Sequence, residues 1–116
     1  DTIEGEFAAG MHMNFINHLP LADVARFNDL FHARLGAGAT VFCGAQRFRG
    51  SKNDPVYEIN ETGDMVSQRH HDDGRSIEVV DTLFTEDLWR GLLAGRGINL
   101  QFSMNSKWWW MTYQVV

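Results

Sequence analysis

The chain has 116 residues, 44% apolar and 22% charged, with ten basic against fifteen acidic side chains and a formal charge of −5. That size suits one domain that buries roughly two thirds of its unfolded surface without staples. No apolar run nears the roughly 18 residues expected of a membrane span, and the start lacks the basic-then-apolar pattern of a secretory signal. The acidic balance opposes nucleic acid and anionic membranes. The only basic cluster, Arg47, Arg49 and Lys52, reads with nearby Asp54 as the solvated end of a strand. A single cysteine, Cys43, precludes an internal disulfide and points to a reducing, cytoplasmic setting. In its apolar stretch it reads as a small buried side chain rather than a nucleophile.

Residues 1–13 show no clear period and contain Gly5, Ala8, Ala9 and Gly10. The pair His12-Met13 resembles a cloning junction, so this segment reads as flexible or vector-derived, outside a single α+β domain at residues 14–116. The first strong element is helical. Leu21, Val24, Phe27, Leu30, Phe31 and Leu35 recur at three- and four-residue spacing and form one apolar stripe. Pro20 suits its first turn, and Gly36 with Gly38 suits its end.

Strands follow. Residues 40–48 place Val41, Cys43 and Ala45 on one face, with Phe42 and Phe48 on the other. Residues 51–55 read as a loop. Residues 56–60 form a strand that turns through Glu61-Thr62-Gly63, and residues 65–70 form a more polar one. Asp73-Gly74 signals a type I′ hairpin into residues 75–84, whose Ile77, Val79 and Leu83 share a face. Thr85 is an N-cap, and Glu86-Asp87 places negative charge in the first turn of a short helix carrying Leu88, Trp89, Leu92 and Leu93. Gly95 and Gly97 close that helix. Ile98, Leu100, Phe102 and Met104 then alternate with polar residues, and a turn at Asn105-Ser106-Lys107 leads into Trp108-Trp109-Trp110. The expected order is α-β-β-β-β-α-β-β. It describes an α+β fold with an antiparallel sheet of about six strands and two helices packed on one face.

The chemistry available is sparse. His70-His71-Asp72-Asp73 holds metal-ligand residue types, but neighbours on a strand point apart and the run coincides with the expected turn. His70 or His71 could serve as an acid–base group tuned by Glu58, Asp64 or Glu78. Against this stands a solvated face with charges paired across it. His18 and His32 lie in no motif. The glycines from Gly91 to Gly97 end a helix instead of preceding one, so they read as caps and not as a phosphate loop. No nucleophile elbow, Cys-x-x-Cys pair, metal motif or cofactor motif is present.

The tryptophan tail is the sharpest constraint. In a strand, Trp109, Met111, Tyr113 and Val115 share one face and would meet Leu88, Trp89 and Phe31, while Trp108 and Trp110 look the other way. An aromatic patch without a catalytic signature reads as a small acidic binding module, an inhibitor or regulator. It would engage a protein partner or its own copy as a homodimer, through Trp108, Trp110, Trp109, Trp89 and Tyr113. The alternative is a small enzyme or ligand-binding domain, with an aromatic-lined pocket for a small molecule and an acid–base set at His70, His71 and Glu78.

Overall fold

The computed structural model describes residues 7–47 and 57–116. Phe48, Arg49, Lys52 and the expected loop at 51–55 lie outside the described residues. Two sheets are present: a mixed four-stranded sheet and a separate antiparallel three-stranded one. The class is α+β, with the expected order of elements after one added strand. The single antiparallel sheet of about six strands is corrected by this division.

The added strand is β1, Phe7–Met13, in the segment that sequence reasoning had left outside the fold. It pairs in parallel with β2, Leu35–Gln46, and the long crossover that a parallel pair requires carries α1, Leu21–His32. β2 then pairs antiparallel with β7, Trp108–Val115, which pairs antiparallel with β6, Gly97–Met104. The strand order is β1-β2-β7-β6. Between β2 and α2, Glu86–Leu92, the chain makes the small sheet of β3, Tyr57–Ile59, β4, Met65–His70, and β5, Ser76–Val80.

Both helices pack on one face of the four-stranded sheet, as expected. Val24 of α1, Trp89 and Leu93 near α2, and Val41, Cys43, Ala45, Trp109, Met111, Tyr113 and Val115 of the strands form one core. Phe84 stacks on Trp89 at 4.7 Å between ring centres, and Phe102 stacks on Trp109 at 5.9 Å. Trp89 lies 5.7 Å from Trp109, so the C-terminal strand meets its helix neighbour as its alternation implied.

Several local details differ from expectation. The inward line of α1 is Val24, Asn28 and His32, whereas Leu30 faces solvent. The apolar stripe misleads because His32 turns inward to a hydrogen bond of 2.6 Å with the Tyr113 hydroxyl. The helix ends at His32, before Gly36 and Gly38. Those glycines instead lie in β2, where a register shift against β1 absorbs extra residues and Gly38 takes a positive φ of 81°. The hairpin after β4 has a positive φ at Gly74 alone, so it is not type I′, which requires one at Asp73 too. The alternation in β6 is interrupted by a shift between Ile98 and Gln101, with Asn99 at φ 56°. Leu100 and Phe102 still pack on the core, while Ile98 and Met104 are exposed.

Thr85 caps α2 as expected, its hydroxyl accepting from the Leu88 amide at 3.2 Å. The start of α1 is held differently. Pro20 brings no side-chain acceptor, and the Leu21 amide donates to Asp64 Oδ1 at 2.6 Å. A carboxylate from the turn between β3 and β4 thus caps the first helix. No helix among the described residues is long and apolar enough to cross a membrane.

Candidate functional site

β1 runs parallel to β2, and β6 and β2 both run antiparallel to β7. The carboxyl ends of β1, β2 and β6 therefore meet at one end of the sheet, beside the first residue of β7. Crevices outside the carboxyl ends of such strands are the usual ligand sites of open α/β sheets.

Asn14 directly follows β1, with a positive φ of 56°. Asparagine tolerates this conformation better than most side chains, and two bonds fasten it to β2. Its amide donates to the Gly44 carbonyl at 2.9 Å, and its Oδ1 accepts from the Gln46 amide at 3.1 Å. A 3-10 turn, Ile16–His18, follows and is stitched to the end of β5 and the irregular segment after it. The Thr82 amide donates to the Asn17 carbonyl at 2.8 Å, and Asn17 Nδ2 donates to Asp81 Oδ1 at 2.9 Å. His18 Nδ1 lies 3.0 Å from the Val80 carbonyl. Asn17 Oδ1 and Thr82 Oγ1 are buried at this junction without a hydrogen-bond partner. Such unsatisfied buried atoms are uncommon in folded proteins and give the junction spare bonding capacity.

On the other side of the strand ends, the Arg47 amide donates to the Lys107 carbonyl at 2.8 Å, and its guanidinium donates to the Asn105 carbonyl. Asn105 Oδ1 accepts from the amides of Lys107 and Trp108, both at 2.8 Å. Next to this turn lies an open apolar groove of about 330 Å³, lined by Met13, Phe42, Trp108, Trp109 and Trp110. Its floor is set by register. Met13, Gly44 and Trp110 stand abreast on three strands, and a Cβ at Gly44 would come within 2.6 Å of the Trp109 carbonyl oxygen. Two larger depressions, of about 470 and 460 Å³, include Thr40, Gln101 and Gln114 in one and Phe7 and Gly38 in the other. Both lie toward the opposite end of the sheet.

His12 points from β1 toward α1 and is ringed by Phe15, Phe27 and Phe31, with centre distances of 6.4, 5.3 and 5.5 Å. Both ring nitrogens are buried without partners. Burial, assisted by nearby His32, pushes its pKa down to about 4, so the ring is neutral near pH 7. His32 is also lowered, by burial first, with Asp29 opposing and Arg96 adding to the effect. Cys43 is pushed up to about 12 by burial, which leaves it a protonated thiol.

Of the residues singled out from sequence, Trp89, Trp109 and Tyr113 sit inside the core. Trp108 is half-buried and Trp110 is 36% exposed, both on the face away from the helices. His70 and His71 are exposed on the small sheet and its turn, with His70 Nδ1 2.8 Å from Ser76 Oγ. Glu78 registers with Gln68 rather than with either histidine, and Asp64 is engaged as the helix cap. Among the described residues, no group of three histidine, cysteine or acidic side chains could hold a metal ion. Sequence reasoning missed Met13, Asn14 and Asn17. The available signal was an extended run before a polar turn and Pro20, a strand-to-helix junction.

No family model matches the chain, and no match is found among curated proteins. Its fold, however, resembles solved structures. DhpI in complex with SAH superposes with a TM-score of 0.70 at 14% identity, over 97% of this chain and 49% of DhpI. An S-adenosylmethionine-dependent methyltransferase from Clostridium acetobutylicum gives 0.63 at 9% identity, over 98% of this chain and 60% of that one. The 1,6-didemethyltoxoflavin-N1-methyltransferase of Burkholderia thailandensis, solved with bound 1,6-didemethyltoxoflavin and S-adenosylhomocysteine, gives 0.55 at 14% identity, over 99% of this chain and 47% of that one. The chain thus spans about half the length of the solved structures it matches. This likeness corrects the reading of the chain as an acidic protein-contact module, regulator or homodimer, because the fold is one found in enzymes solved with small molecules. It stands closer to the alternative of a small enzyme or ligand-binding domain.

Proposed function

We propose that this protein is a methyltransferase fold that acts on a small molecule with S-adenosylmethionine as donor, its site lying at the carboxyl ends of β1, β2 and β6. The observation that carries this reading is the superposition on DhpI over 97% of the chain. The strand-end architecture supports it, because the left-handed Asn14, the unsatisfied Asn17 Oδ1 and Thr82 Oγ1, and the small sheet stitched beside them crowd where such folds bind ligands.

The residues present fit such a donor in part. Phe15 and Met13, both well exposed at the end of β1, offer apolar wall for a purine or a thioether. The turn at residues 14–20 contains no glycine to let backbone approach a ligand closely and no aspartate, glutamate, lysine or arginine of its own; the carboxylate that meets it is that of Asp81, which accepts from Asn17. No step of methyl transfer is therefore assigned to a residue of this chain. Equilibrium dialysis with labelled S-adenosylmethionine tests the reading. Binding that S-adenosylhomocysteine displaces and ATP does not is expected, and no displaceable binding at millimolar donor removes it.

A further inference from the structure

The junction between the 3-10 turn at Ile16–His18 and residues 80–82 is one-sided in its hydrogen bonding. His18 Nδ1 stands 3.0 Å from the Val80 carbonyl, which can only accept. In the neutral ring the proton therefore sits on Nδ1, and Nε2 presents a lone pair. That ring is exposed. Asn17 Nδ2 lies 3.5 Å from Nε2, at the outer limit of a bond, and is already committed to Asp81 Oδ1 at 2.9 Å. Asn17 Oδ1 and Thr82 Oγ1 are buried oxygens without partners, on residues only 5% and 3% exposed. The side-chain atoms that lack a full bond here thus all accept. Segments 14–20 and 80–85 together bring one formal charge, the negative one of Asp81. Phe15, exposed three residues before His18, adds an apolar wall.

We infer that this junction selects the methyl acceptor by class: an amine on an apolar frame, received at its N–H groups by His18 Nε2 and drawn by the charge of Asp81. An anionic molecule meets lone pairs and a carboxylate there, and pays desolvation with no donor to repay it. A neutral alcohol can bond to Nε2 but gains nothing from Asp81. This assignment rests on the site proposed at the strand ends. The same chemistry suits the amino group of the methyl donor itself, and competition separates the two sources.

The probes are benzylamine and benzoate, a cation and an anion on one ring. They are titrated into the full 116-residue chain at about pH 8 and followed by NMR at the His18 ring and the Asp81 and Thr82 amides. Benzylamine is expected to shift these signals, and benzoate to bind at least about tenfold more weakly. Asp81→Asn keeps an oxygen for Asn17 and removes the charge, so it should erase most of that preference with the fold intact. His18→Phe should weaken benzylamine by about tenfold, and His18→Gln, which restores an acceptor, should recover part of the loss. Excess S-adenosylhomocysteine should leave benzylamine in place. Displacement would hand the junction to the amino end of the donor and overturn the assignment. So would equal binding of benzoate, no shift with benzylamine, or a preference that Asp81→Asn leaves untouched. Benzylamine binding by a chain that takes up no S-adenosylmethionine would end the methyltransferase reading and still support an amine site here.

Discussion

Trp109 and Trp110 are adjacent residues of one kind on β7, yet one is fully buried and the other 36% exposed. The difference is the face of the sheet. The helix-covered face gathers Trp89, Phe84, Phe102 and Trp109 in mutual ring contact. The bare face carries equally apolar residues with nothing described over them. Hydrophobicity alone therefore does not decide burial here; the presence of a covering layer does. The consequence is that a similar change on the two faces should have unequal effects.

The sharpest way to break that contrast is to truncate each indole in turn. Trp109→Ala is expected to cost about 3–5 kcal/mol by urea denaturation, because it opens a cavity among packed rings. Trp110→Ala is expected to cost under about 1 kcal/mol, since its ring already meets water. Equal losses would show that both faces are packed alike.

A second test uses acid. His12 lies on the covered side, with a folded pKa of about 4 against an ordinary value near 6.5. Between those values the unfolded chain binds the extra proton, so stability is full above the ordinary value and falls as pH drops toward 4. The expected loss is on the order of 2 kcal/mol after allowing for residual solvent contact. His12→Phe should flatten that dependence, and a wild-type pH profile in the variant would reject the assignment. His32 titrates in the same direction and should supply the remaining slope.

The smallest effect concerns the small sheet. Removing the Asp64 cap as Asp64→Ala should destabilise the protein by about 1 kcal/mol and loosen the first turn of α1, read as faster amide exchange at Leu21. Unchanged exchange there would mean that the bond does not anchor the helix.

Periodicity in the sequence located both helices and most strands, because long amphipathic runs and the Thr85 cap act locally. The split into two sheets was not legible. Pairing partners such as Cys43 and Met111 are distant in sequence, and nothing in a single strand names its neighbour. β1 was lost because glycine and alanine at Ala8, Ala9 and Gly10 carry little strand signal, although the tips of the Phe31 and Leu35 side chains approach the backbone at Gly10. The inward rotation of α1 was hidden for another reason: Asn28 and His32 are polar by type but buried by position. At the candidate site the tryptophan alternation was legible. The junction of Asn14 and Asn17 with Thr82 was not, since it joins segments far apart along the chain.

Cys43 has a further consequence. Its thiol stays protonated at the middle of β2, wedged between His12 on one neighbouring strand and Met111 on the other. A thiol-specific reagent can reach it only when those strands part, so the chain carries its own chemical clock for the opening of its centre.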